Sequence, residues 1–138
     1  MIYNDVEILF AEDSIDDATL TIRALVKSGF TNKLYHVKDG AEALDFLYCR
    51  GIYASRNISE KPKLILLDLK MPKLTGMEVL EKIKSDPNFK SIPVVILTSS
   101  NEDPDVQKCY ALGANSYIVK TVDSDNFFNA IKEIGMYW

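Results

Sequence analysis

Cysteine is nearly missing from this sequence: Cys49 and Cys109 are the only two in 138 residues, and they form no CxxC pair. A lone cysteine within a helical pattern is most often a small buried hydrophobe, which places a disulfide second and metal ligation by these thiols third. Long apolar runs are missing too. The longest, such as Pro93 to Leu97, are far too short to span a bilayer. The opening residues MIYNDVEILFAEDS contain neither a basic segment nor a long apolar stretch of the signal-peptide kind, so a cytoplasmic protein without a membrane partner is expected. Basic excess is also lacking, with 16 Lys and Arg against 20 Asp and Glu and no Lys/Arg run. A net charge of −4 argues against a nucleic-acid partner. No GxxxxGK[ST] loop is present for a nucleoside triphosphate. Internal repeats, low-complexity tracts and linkers are absent as well.

What is present suffices for one domain over residues 1–138, since 47% of the residues are hydrophobic and 26% charged. Short apolar runs alternate with amphipathic stretches. Val6–Ala11, Leu64–Leu67 and Val94–Leu97 suit strands buried on both faces, and Leu34–Val37 and Tyr117–Val119 are shorter candidates. Helical spacing groups Ile22, Leu25 and Val26, then Met77, Leu80 and Ile83, then Val106, Cys109 and Tyr110, then Phe127, Ile131 and Ile134. Ser14 is placed to cap the first helix with Asp17 three residues on, and Gly29 to end it; Asp39-Gly40 makes a turn and Asp86-Pro87 closes the third helix. Five strand–helix units in strict alternation predict an α/β fold, a doubly wound parallel sheet with helices on both faces. The irregular stretch Arg50 to Lys63 reads as an insertion packed on the surface, or else a partner-contact element. The chain ends at Met136-Tyr137-Trp138 directly after the fifth helix, so the expected output is a protein–protein contact rather than an attached effector domain. Those last aromatics either pack on the helix or offer a patch to a partner or a homodimer.

In a doubly wound sheet, ligands gather beyond the carboxyl ends of the strands near the switch in strand order. The residues following the apolar runs are Glu12 and Asp13 after the first, Asp68 after the third, Thr98 with Ser99 and Ser100 after the fourth, and Lys120 after the fifth. Clustered carboxylates raise one another's pKa unless a cation neutralises them, and Mg2+ uses one or two carboxylates with water and phosphate oxygens. An Asp beside such a cation can be a nucleophile toward phosphorus, with a lysine and a hydroxyl neutralising the equatorial oxygens. Each residue alone has a plainer reading: an acidic loop, a strand-end acid, a surface lysine, a helix cap. Their coincidence on one edge decides against those. Asp16 and Asp17, in the first turn of a helix, are assigned to the macrodipole.

Glu12-Asp13, Asp68 in LILLDLKMPKLTG, Thr98 in VVILTSS and Lys120 in YIVK together resemble the receiver domain of bacterial response regulators over almost the whole chain. LDLKMPKLTG, with Met71, Pro72 and Gly76, is the most specific element. DFLYCRG (Asp45 to Gly51), the long loop after it and LGANSYIVK are similar to the stand-alone regulators that partner bacteriophytochromes and related histidine kinases. The resemblance implies a CheY-like strand order 2-1-3-4-5, and Asp68 as acceptor of a phosphoryl group from a kinase phosphohistidine. It implies Mg2+ organised by Glu12, Asp13, Asp68 and the backbone carbonyl of Lys70, with Thr98 and Lys120 binding phosphoryl oxygens. It further implies Thr98 and Tyr117 as the switch, a sensor histidine kinase of phytochrome type as partner, and no enzyme activity beyond the domain's own phosphorylation and dephosphorylation. A phosphoryl shuttle or sink is the alternative role. His36 matches no functional position of the family. Thr121 stands where receivers carry a proline after the lysine, and the sequence leaves that peptide bond cis or trans. Two rivals fit less well. A haloacid-dehalogenase-type phosphatase wants an Asp where Lys70 stands, and an FMN-binding flavodoxin needs a hydroxyl- and glycine-rich loop where Glu12-Asp13 would repel phosphate.

Overall fold

Alternation of side chains along short strands explains why both faces of the sheet are covered. The computed structural model describes residues 6–27, 33–98 and 104–119, by backbone alone at 104–106 and 119. The elements are β1 (Ile8–Ala11), α1 (Ile15–Lys27), β2 (Leu34–Val37), α2 (Gly40–Tyr48), β3 (Leu64–Asp68), α3 (Gly76–Ser85), β4 (Val94–Thr98), α4 (Pro104–Ala111) and β5 (Ser116–Val119). All strand pairs are parallel, in the order β2-β1-β3-β4-β5. Ile8, Phe10, Leu64, Leu66, Val95 and Leu97 point to one face, where they pack with Ala18, Ala24 and Leu25 of α1. Leu9, Ala11, Ile65, Leu67, Val94 and Ile96 point to the other, against α2, α3 and Cys109 of α4. Among the described residues no helix is long and apolar enough to cross a membrane.

Several boundaries and faces differ from the sequence pattern. β1 starts at Ile8, with buried Val6 preceding it, while β3 and β4 run one residue further than their apolar blocks. Asp68 and Thr98 are therefore the last strand residues, in a parallel ladder with Leu97 and Val119. On α1 the buried stripe is Ala18, Thr21, Ala24 and Leu25; Val26 is 66% exposed. Small residues there let the helix lie close to the sheet, a stripe that a search for large apolar side chains overlooks. Cys49 is just past α2, as its left-handed cap (φ 57°), and neither cysteine forms a disulfide. Asp39 accepts from the Glu42 N–H (2.7 Å), so this residue caps α2. Gly29, the Phe127, Ile131 and Ile134 pattern and the aromatic C-terminus lie outside the described residues.

The stretch 50–63 is held more deeply than surface packing implies. It opens with a 3-10 turn (Gly51–Tyr53) whose Tyr53 is fully buried. The Tyr53 hydroxyl donates to Glu42 Oε1 (2.7 Å) and shares a hydrogen bond with the Tyr35 hydroxyl (3.0 Å). Arg56, 8% exposed, stacks its guanidinium on the Phe46 ring at 3.8 Å. Its Nη1 donates to Phe46 O and to Cys49 Sγ, and Nη2 donates to Glu60 O (2.8 Å). Phe46 belongs to the last turn of α2; its carbonyl also accepts from the Cys49 N–H (3.3 Å), and a cation is favoured at this end of the helix. Arg56→Met should accordingly lower unfolding free energy by about 1–3 kcal/mol, because Phe46 O loses its charged donor and Phe46 loses the stacked guanidinium. The exposed Arg50, paired with Asp45 at 3.3 Å, should cost about 0.5 kcal/mol or less on the same change. Urea unfolding of both variants checks this; equal midpoints would refute the anchoring role.

Candidate functional site

The passage from β1 to α1 takes three residues, 12–14, so the two acids cannot leave the sheet edge. Glu12 N–H donates to Val37 O (3.0 Å), extending the β2 ladder by one bond. Glu12 O bonds His36 Nε2 at 2.7 Å. Ser14 Oγ then accepts from the Asp17 N–H (3.2 Å) and starts the helix. Glu12 is fully buried, Asp13 exposed and Asp68 6% exposed. Carboxylate oxygens of Glu12, Asp13 and Asp68 all lie within 4.8 Å of one another. The chain leaves β1 first to β2 on one side and then to β3 on the other, so this edge is the topological switch point.

Asp68 is fixed by the loop that follows it. Leu69 N–H donates to Leu97 O (3.2 Å), and Gly76 N–H returns to Leu69 O (2.8 Å). Leu69 and Met71 are buried while Lys70 between them is exposed. Leu74 N–H closes on Pro72 O (2.8 Å) across Lys73, whose φ of 67° lies in the left-handed region. Lys73 Nζ is 3.6 Å from Asp39 Oδ2, tying this loop to the cap of α2. Thr75 starts α3 with a full capping box: its Oγ1 accepts from Glu78 N–H (3.2 Å), and Glu78 Oε1 accepts from Thr75 N–H (3.1 Å). Two glycines permit the approach. A Cβ on Gly76 would lie 2.1 Å from Asp68 O, and one on Gly40 would lie 2.3 Å from Leu74 O. Gly40 thus answers a need for space where α2 meets the loop.

Thr98, 2% exposed, ends β4 beside Asp68 on the neighbouring strand. Tyr117 is half-buried and pairs in register with Ile96, two residues back from the edge; its ring meets the exposed Tyr110 edge-on at 5.9 Å. Lys120, Ser99, Ser100 and the Lys120–Thr121 peptide lie outside the described residues. The strand-end count therefore places Glu12, Asp13, Asp68 and Thr98 on one edge, as found. It does not anticipate the His36 bond to Glu12 or the Asp39–Lys73 pair, for which no spacing rule exists.

Three hard oxygen donors within 4.8 Å, two of them buried and one reaching solvent, suit a divalent cation of the Mg2+ kind. Without a cation, the same three charges oppose any phosphate.

A family model described as the response regulator receiver domain matches residues 8–132. Response regulator Rcp1 from Synechocystis is 40% identical over 131 residues, spanning 95% of this chain and 87% of Rcp1. The crystal structure of the phosphorylated cyanobacterial phytochrome response regulator RcpA superposes with a TM-score of 0.84 at 40% identity, covering 96% of this chain and 92% of RcpA. The Mn(2+)-bound form of Rcp1 superposes with a TM-score of 0.83 at 39% identity, over 95% and 92%. The parallel five-stranded sheet, its acid-lined switch point and these likenesses make one case: the chain belongs to the receiver-domain response regulators of two-component signalling.

Proposed function

We propose that Asp68 accepts a phosphoryl group from the phosphohistidine of a sensor histidine kinase of phytochrome type, and that residues 1–138 act as one receiver domain. The observation carrying this reading is the convergence of Glu12, Asp13 and Asp68 within 4.8 Å at the switch point. Glu12, Asp13, Asp68 and the backbone carbonyl of Lys70 would hold Mg2+, which when bound would supply neutralisation of charge on phosphoryl oxygens. One Asp68 carboxylate oxygen forms a bond to phosphorus while the bond from phosphorus to the kinase imidazole breaks, leaving the electron pair on that nitrogen. Thr98 Oγ1 donates to one phosphoryl oxygen and the Lys120 ammonium pairs with another. Drawing Thr98 toward the phosphoryl group empties space at the end of β4, and Tyr117 changes rotamer in response. The output is a phosphorylation-dependent contact with a downstream protein or a second copy of the chain.

The phosphorylated state of RcpA and the Mn2+ of Rcp1 support this reading through those relatives. The test is incubation with acetyl phosphate, with and without Mg2+, followed by intact mass and size-exclusion chromatography. A gain of one phosphoryl group that requires Mg2+ is expected. No gain with Mg2+ present, or an equal gain without it, would refute the assignment.

A further inference from the structure

We propose that His36 is a positioning residue for the cation-binding acids, acting through the main chain of Glu12; the inference rests on reading Glu12, Asp13 and Asp68 as a divalent-cation site.

β2 is an edge strand and carries no acid of the cluster, yet it holds both main-chain polar groups of Glu12. Val37 O accepts from Glu12 N–H at 3.0 Å, and His36 Nε2 bonds Glu12 O at 2.7 Å. The registered pairing of the two strands ends at Ala11 and Val37, and these two bonds carry the hold of β2 one residue further, onto Glu12. The carbonyl of Glu12 belongs to the peptide plane that joins it to Asp13. Fixing that oxygen fixes the plane, and with it the position of the Asp13 Cα from which that carboxylate is carried. A carbonyl oxygen only accepts, so Nε2 carries the hydrogen, and a neutral imidazole suffices.

The ring itself is held. It is half-buried, with its centroid 5.5 Å from that of fully buried Phe10, its register partner on β1. With Nε2 committed to a carbonyl and His36 outside the carboxylate cluster, the imidazole is placed as a support for the site. A ring serving only to fill the sheet face would be replaceable by phenylalanine, and that substitution separates the two roles. His36→Phe keeps an aromatic ring against Phe10 and removes the donor. His36→Gln gives up the ring and keeps a side-chain N–H of comparable reach.

Mn2+ alone is the probe, titrated into metal-free protein and followed by the electron paramagnetic resonance of the free ion. Partners of metal ligands typically alter affinity 10- to 100-fold, so His36→Phe should weaken Mn2+ binding by about tenfold. His36→Gln should stay within about threefold of wild type. Urea unfolding in EDTA checks that each variant folds, and His36→Leu replaces the Phe variant if that one does not. Wild-type affinity in the donor-free variant would overturn the inference. So would a Gln variant as weak as the Phe variant, because packing would then explain the loss. Failure of the site reading looks different: wild type and Asp13→Asn would then bind Mn2+ equally weakly.

Discussion

Asp68→Asn should gain no phosphoryl group from acetyl phosphate in Mg2+, under conditions that label the wild type. The substitution is nearly isosteric, and it replaces a carboxylate oxygen with an amide nitrogen that is a poor nucleophile toward phosphorus. It also removes one of three charges gathered within 4.8 Å. Relief of that repulsion offsets the favourable electrostatics that the carboxylate supplied. In EDTA the variant should therefore unfold within about 1 kcal/mol of wild type. Mg2+ should then separate the two proteins. A cation at about a hundred times its dissociation constant stabilises the folded state by about 2.7 kcal/mol, and the variant, with a weakened site, gains less. Intact mass and urea unfolding in both media measure all three effects. Stoichiometric labelling of the variant would sink Asp68 as the acceptor. An Mg2+ stabilisation as large as that of wild type would remove Asp68 from the cation site.

Much of this is legible in the chain because strand geometry repeats locally. In LILLD and VVILT every residue is buried, and successive side chains serve opposite faces, so a plain apolar run announces both layers of core. The strand ends then follow by counting, which is how Glu12, Asp13, Asp68 and Thr98 can be named from widely separated segments. Arg56 shows where such counting stops. Its guanidinium is buried because the last turn of α2 offers the Phe46 carbonyl and the Phe46 ring offers a face, ten residues away with no periodicity between them. Tyr53 is core for a similar reason, supplied by Glu42 and Tyr35 from two other elements. The stripe on α1 escapes the apolar pattern because Ala18, Thr21 and Ala24 matter by being small, whereas Val26 attracts attention by being large and faces solvent. Each miss is a contact between distant segments, decided by shape after the sheet has formed.

Gly76→Ala tests how tightly the loop is built around Asp68, and among the described glycines it should be the most damaging added methyl. The added carbon would lie 2.1 Å from Asp68 O, 2.8 Å from Leu69 Cα and 2.9 Å from Asp68 C. All three are main-chain atoms, so no side chain can rotate away. Nor can the loop retreat easily: Gly76 N–H is bonded to Leu69 O, Leu69 N–H to Leu97 O, and the far side meets α2 where Gly40 sits 2.3 Å, at its would-be Cβ, from Leu74 O. Relief requires moving the end of β3 or pulling α3 outward, and both disturb buried Leu69, Met71 and Val79. Overpacking of a tight core typically costs about 1–3 kcal/mol, and with rigid backbone on every side the upper end or more is expected. Because the displaced atoms belong to Asp68 and its neighbour, acetyl phosphate labelling should fall at least about tenfold even where the variant remains folded, since small misplacements of reacting groups are that costly. Thr75→Ala is the contrast. It removes the capping box of the same helix, costs about 1 kcal/mol, and leaves Asp68 in place, so its labelling rate should stay near wild type. Urea unfolding with labelling kinetics distinguishes the pair. A Gly76→Ala protein as stable and as readily labelled as wild type would mean that the loop has slack its bonding does not suggest.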